Sequence, residues 1–295
     1  MADMTEVRLT QVPSLGSLYA QALGRLAQTV MAMRPATALP QVRYVVDGVH
    51  ADADQLAAYQ QLLGEPGTDV LPAGYVHVLA FPVAMAVMAR ADFPLPLLGM
   101  VHLANTVEQR SPGRLGDRLD VRAWAEGLRA HRVGTQVDLV TEVSREGEIL
   151  WRGVSTYLAK GKKLASAAPG EPGERPEAAL PPVTGQWKLR ADVGRRYAAV
   201  SGDRNPIHLS ALTAKLFGFP RAIAHGMYTA SRALATVGAP GDEAFRWNVE
   251  FGKPVLLPGT VTFGLAPAEG GGHTYAGWDA RSGKVYFTGS VIATS

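Results

Sequence analysis

"VEQRSPGRL" (residues 107–115) and "VEFGKPVLL" (residues 249–257) both fit Val-Glu-x-x-x-Pro-x-x-Leu, and they lie 142 positions apart. One such match is a coincidence that short Gly- and Pro-containing stretches often produce. Two more follow in the same order. "YQQLLG" (59–64) is answered by "YAAVSG" (197–202) at an offset of 138, and "GEILWRG" (147–153) by "GKVYFTG" (283–289) at an offset of 136. Three ordered matches at nearly constant offset predict a duplicated unit.

Each copy reads the same way. A short helix ends at Gly64 or Gly202. An apolar helical stretch follows at 76–90 or 224–237. Then come strand segments at 100–109, 117–132, 133–146 and 148–160, or at 245–252, 259–269, 273–281 and 284–294, separated by Gly-rich or polar turns such as "RSGK" (281–284). One apolar helix followed by antiparallel strands predicts an α+β unit, a sheet wrapped around a buried helix. Between the copies lies "LASAAPGEPGERPEAALPPVTG" (164–185), rich in Pro, Gly, Ala and Glu and without hydrophobic period. The expected division is a unit over 1–163, a linker or crossing segment over 164–183, and a second unit over 184–295. A further helix over 14–31 carries Leu15, Leu18, Tyr19, Ala22 and Leu26 at helical spacing and is expected to pack on the outside.

The bulk numbers bound the function. The 295 residues are 47% hydrophobic and 19% charged, a globular composition with room for one large domain or two of ordinary size. Cysteine is absent, which removes disulfides, thiolate metal sites and a cysteine nucleophile and suits a reducing compartment. No signal peptide is visible, and "YVHVLAFPVAMAVMA" (75–89) is too short to span a bilayer. A soluble cytoplasmic protein is expected, without membrane partner. The net charge of +3 is scattered with no Lys/Arg run, which argues against nucleic acid and would suit a substrate carrying phosphates.

The copies differ in one place. "SGDRNPIH" (201–208) holds an acid, Asp203, and a base, His208, on either side of Asn205-Pro206. An ungapped match at offset 138 puts Glu65 opposite Asp203 and Val70 opposite His208, so the first copy lacks the acid–base loop. A purely structural turn would have no need of the histidine. One copy that keeps the pair and one that loses it is the pattern of a duplicated enzyme with a single site. Taken alone, Asp203 could cap the following helix and His208 could be a core histidine.

The stretch "YAAVSGDRNPIHLSALTAKLFGFPRAIAHGM" (197–227) resembles the signature of MaoC-like dehydratases, the (R)-specific enoyl-CoA hydratases of the hotdog superfamily. The shared pattern is Ser-Gly-Asp-x-Asn-Pro-x-His, a helix, then Ile-x-His-Gly-Met. The duplication is similar to double-hotdog members, in which a degenerate N-terminal hotdog is fused to a catalytic C-terminal one. The resemblance implies a double hotdog, with Asp203 and His208 carrying the chemistry and Gly226 giving a backbone N–H to a thioester carbonyl. It implies hydration of trans-2-enoyl thioesters, or the reverse dehydration of (R)-3-hydroxyacyl thioesters, on coenzyme A or acyl carrier protein. Some members carry a serine further along the central helix; that position falls near Leu234 here and is not carried over.

The chemistry suits these residue types. Charge gathers on the thioester oxygen in the transition state, and a helix N-terminus offers free N–H groups and partial positive charge. Gly226 has no side chain to hold a substrate away. An imidazole can take a proton from water at neutral pH, and a carboxylate can hold the same water. Which of Asp203 and His208 is acid and which base is left open. Asn205, with Pro206, is expected to stiffen the loop, and His225 to hydrogen-bond it; both are also candidate substrate contacts beside Gly226. Asp203, His208 and His225 have ligand types for a metal, yet their spacing fits no metal motif, and neither metal nor cofactor is expected. His77 and His102 are expected to be structural, and Val83, Met85, Val87 and Met88 to be core. A hotdog thioesterase and a non-catalytic acyl-thioester-binding protein are the competing readings. A homodimer is compatible with the sequence, which fixes no oligomeric state.

Overall fold

In "FRWNVEF" Phe245, Trp247 and Val249 are buried while Arg246 and Glu250 are exposed, the alternation of a strand with one face on a core. The computed structural model describes residues 4–28, 36–169, 180–239, 243–269 and 271–294. It begins with β1 (Thr5–Arg8) and α1 (Leu15–Gln28). The first unit is β2 (Val42–Val49), α2 (Ala53–Leu63), α3 (Ala73–Met88), β3 (Val101–Gln109), β4 (Leu119–His131), β5 (Gly134–Arg145) and β6 (Glu148–Lys160). The second is β7 (Val183–Leu189), α4 (Val193–Ser201), α5 (Pro206–Leu209), α6 (Ala211–Leu216), α7 (Gly226–Val237), β8 (Phe245–Phe251), β9 (Gly259–Pro267), β10 (His273–Trp278) and β11 (Val285–Ala293). The protein is α+β, a double hotdog.

Among the described residues, eleven strands form one sheet in the order β1-β2-β4-β5-β6-β3-β8-β11-β10-β9-β7. Read outward from the β3–β8 pair, the two units have the same strand order. β3 and β8 run antiparallel, with Thr106 facing Asn248. The sequence offset of 142 carries Thr106 onto Asn248, so a local two-fold axis passes through that pair. In the first unit α3 is buried along almost its whole length, as an apolar helix lying under a sheet must be.

Several expectations are corrected. The opening strands β2 and β7 were not foreseen, and β7 starts at Val183, within the expected linker; residues 170–179 of that linker lie outside the described residues. The N-terminal helix is described to Gln28; residues 29–31 and the side chain of Leu26 lie outside the described residues. It packs on the outside as expected, with Gly16, Ser17, Ala20 and Gln21 exposed and Leu15, Leu18 and Tyr19 buried on the inner face.

The alignment of the copies also changes. Glu65 does match Asp203, because α2 and α4 end in the same left-handed glycine cap at Gly64 and Gly202. Val70 does not match His208. Val70 bridges Arg114, and the same bridge in the second unit joins Ile223 to Leu256. Likewise Leu71 N–H donates to Gly113 O as Ala224 N–H donates to Val255 O. Residues 65–69 therefore stand where the second unit has 203–222, and the first copy has no counterpart of α5, α6 or His208. The stretch 71–82 is the lead into and body of α3. Length is recovered later, by a longer central helix and the segment 89–100.

The second unit's core is tied by one buried chain of hydrogen bonds. Trp247 Nε1 donates to Tyr275 Oη at 2.7 Å, and that hydroxyl donates to Asn248 O at 2.9 Å. Tyr275→Phe leaves a buried indole N–H and a carbonyl lone pair unmatched, at about 1–3 kcal/mol. Urea denaturation is expected to show that loss with catalytic turnover unchanged.

Candidate active site

The catalytic-type loop is built by its own residues. Gly202, at φ 72°, ends α4 and turns the chain into Asp203. Asn205 N–H donates to Asp203 Oδ1 at 3.1 Å, Asn205 caps α5 by accepting from Ile207 N–H, and Pro206 takes the first helical position. α5 thereby delivers His208 to a buried position. Gly194 is required beneath it, since a Cβ there would lie 2.0 Å from the His208 carbonyl oxygen.

His208 Nδ1 lies 2.9 Å from Ile223 O. A carbonyl only accepts, so Nδ1 carries the hydrogen and Nε2 keeps its lone pair. Burial pushes His208 down to about 3, so its ring is neutral near pH 7. His225 stacks on it at 3.7 Å between ring centroids and donates from Nε2 to Asp203 O at 2.9 Å. Burial lowers His225 as well. Burial pushes the Asp203 carboxyl up, but His225, His208, the Tyr19 hydroxyl and the Asn205 N–H together hold it below the usual carboxylate range. With both imidazoles neutral near pH 7, the hydrogen bonds from Tyr19 and Asn205 carry more of that work. Asp203, His208 and His225 have ligand atoms within 4.8 Å of one another. His208 Nδ1 and His225 Nε2 are each committed to a backbone carbonyl, which leaves one lone pair on each ring.

Gly226 opens α7. The N-cap is His225, whose side chain makes no capping bond, so the first-turn N–H groups remain for a ligand oxygen. A Cβ on Gly226 would meet the Phe251 ring at 3.1 Å, so glycine here makes room for Phe251.

These residues line one cavity of about 1840 Å³. Asp203, Asn205, His208, His225 and Gly226 are brought together there from the second unit. The first unit supplies His77, Phe81, Met85, Met88 and His102, and α1 supplies Tyr19. His77 and His102 are thus cavity walls and not merely structural: His77 stacks on Phe81, and His102 stacks on Tyr157 at 4.5 Å. Burial lowers them to about 4 and about 3. Met85 and Met88 line the cavity, while Val83 and Val87 are core. Exposed cations Arg132, in the β4–β5 turn, and Lys160, Lys253 and Lys284, at the adjoining ends of β6, β8 and β11, also line it. Among the described residues, no helix is long and apolar enough to cross a membrane.

Residues 168–270 match the model of the MaoC like domain. Over 272 residues the chain is 39% identical to 3-hydroxyacyl-thioester dehydratase X of Mycobacterium tuberculosis, covering 92% of this chain and 93% of that protein. The chain belongs to the MaoC-like dehydratase family. The crystal structure of HtdX from Mycobacterium tuberculosis superposes with a TM-score of 0.75 at 35% identity, over 85% of this chain and all of that one. A second Mycobacterium tuberculosis protein described as having a double hotdog fold gives a TM-score of 0.51 at 14% identity, over 84% of this chain and 94% of that one, a likeness of fold alone.

Sequence reasoning missed Tyr19, His77, His102 and Tyr157 as cavity residues. Tyr19 carried one signal, its place in the apolar stripe of the first helix. The alignment of the two copies leaves Glu65 without a counterpart of His208. Burial pushes its carboxyl from 4.5 up to about 7. A folded-state value above the unfolded one means stability is full below about pH 4.5 and declines as pH rises through about 7. Glu65→Gln is therefore expected to be more stable than wild type at pH 8, equal to it near pH 4, and unchanged in turnover. Urea midpoints at the two pH values check this.

Proposed function

We propose that this protein interconverts trans-2-enoyl and (R)-3-hydroxyacyl thioesters by adding or removing water, as a hydro-lyase with one active site formed mainly by residues 184–295. The observation that carries the reading is a neutral His208 with a free Nε2 lone pair beside an ionised Asp203, at the uncapped N-terminus of α7. In the hydration direction, Asp203 holds a water and His208 Nε2 takes its proton as oxygen attacks C3. The electron pair of the C2–C3 double bond moves toward the thioester oxygen, which the Gly226 N–H steadies. The proton then passes from His208 to C2, leaving the enzyme as it began. Dehydration is the reverse: C2–H and C3–O break, and water leaves. His225 and Asn205 hold the loop, and proton transfer and water addition of this kind need neither metal nor cofactor.

The exposed cations along the cavity edge suit the phosphates of a coenzyme A or acyl carrier protein thioester. The cysteine-free chain suits the reducing cytoplasm. The unit over residues 1–163 is the degenerate partner, joined through 164–183; it walls the cavity and supplies no reacting group.

Asp203→Asn and His208→Ala should each lower hydration of an enoyl-CoA by about 10²–10⁴-fold with thermal stability retained. The assay follows loss of the enoyl absorbance. Release of free thiol in its place would make the protein a thioesterase, and neither signal would make it a binding protein.

The acyl chain should be long. The first unit lacks α5 and α6, and its longer α3 and following segment place Met85, Met88, Leu97 and Met100 on the cavity wall. The volume exceeds the roughly 300–1,000 Å³ of ordinary ligand sites. Each buried CH₂ adds about 0.8 kcal/mol, roughly fourfold in affinity. Across trans-2-enoyl-CoA substrates from C4 to C16, kcat/KM should peak at about eight carbons or more; a maximum at C4 would show a closed pocket.

A further inference from the structure

The helix that precedes the first unit reaches the reacting carboxylate of the second. Tyr19 Oη donates to Asp203 Oδ1 at 2.7 Å, across 184 residues of sequence. One turn earlier Leu15 packs against the back of the same loop, its Cδ1 3.4 Å from where a Cβ on Gly202 would lie. Tyr19 and Leu15 are both buried, and the Tyr19 ring also lines the cavity.

The two oxygens of Asp203 are held differently. Oδ1 accepts from Tyr19 Oη and from the Asn205 N–H at 3.1 Å. Oδ2 has His225 Nε2 at 3.8 Å, but that N–H is already given to the Asp203 carbonyl at 2.9 Å. We propose that Tyr19 is a positioning residue for Asp203: its hydroxyl fixes Oδ1, so that Oδ2 is the oxygen presented to water and substrate. The inference rests on the hydration reading for its kinetic consequence and on geometry for the rest.

Without the hydroxyl, Oδ1 keeps only the Asn205 N–H of its own loop, and the carboxylate is free to turn. Tyr19 itself stays a donor, because burial and the neighbouring Asp203 charge push its phenol far up. The groups that face Asp203 are His225, His208, Tyr19 and the Asn205 N–H, with His77, His102, Tyr157 and Tyr197 coupled to it through the cavity. Of these, Tyr19 alone comes from α1.

The test is Tyr19→Phe, which keeps the ring and removes the donor. A hydrogen bond to a charged group corresponds to about a 10- to 100-fold effect. The expected result is kcat lower by about that factor, KM within about twofold, and an acid limb of the kcat–pH profile moved upward. A role in packing alone would lower stability without moving that limb. In an Asp203→Asn background, Tyr19→Phe should cause no further loss, whereas a packing role would show in both backgrounds. An infrared titration of the Asp203 carboxyl, read as the difference from Asp203→Asn, needs no turnover and should also move upward in Tyr19→Phe. An unmoved carboxyl titration overturns the inference, whatever the rates. A wild type without hydration activity overturns the proposed function instead, and leaves the titration to decide the role of Tyr19.

Discussion

The antiparallel pairing of β3 with β8 is the contact on which the rest of the molecule depends. Each strand would otherwise be an open sheet edge, with a row of unmatched N–H and C=O groups inviting association. Paired about Thr106 and Asn248, they turn two small sheets into one and bring α3 and α7 together on it. The cavity lies where the units meet. Its polar wall comes from the loop and helix start of the second unit, and much of its apolar wall from the central helix of the first.

Within that cavity the decisive balance is between burial and hydrogen bonding. A buried imidazole loses its charge, and His208, His225, His77 and His102 are all shifted that way. A buried carboxylate would do the same, yet Asp203 is held ionised by donors aimed at it. The site therefore sets a neutral imidazole beside an ionised carboxylate on one cavity wall. That division of protonation states suits the proposed reaction, which moves one water and one proton near pH 7.

Divergence of the two copies followed the packing constraints. The glycine cap at Gly64 and Gly202 survives in both, because a left-handed turn is needed to lead the chain away from the helix. The segment after it was free to change. In one copy it spans residues 203–222 and carries α5 and α6; in the other it is only residues 65–69. The acid at Glu65 remained, but without a histidine beside it burial drives it toward its neutral form.

The sequence by itself determined the duplication, the strands from β3 to β6 and β8 to β11, and the loop that holds Asp203, Asn205 and His208. These are written in local patterns: a repeat offset, a period of two, and a turn chemistry that a few residues specify. The two opening strands escaped because short stretches such as "VTGQWKL" have little alternation and adjoin a segment rich in Pro and Gly. The match of Val70 to His208 failed because a deletion and a later insertion nearly cancel in length, and only the paired bridges to Arg114 and Leu256, in the segments that follow β3 and β8, reveal where each lies. Tyr19, His77, His102 and Tyr157 became neighbours of Asp203 only when the sheet closed around the junction. Nothing local marks such residues, because their roles depend on distances across the fold: a tyrosine in an apolar helical stripe reads as core until the carboxylate it meets, 184 positions away, is in place.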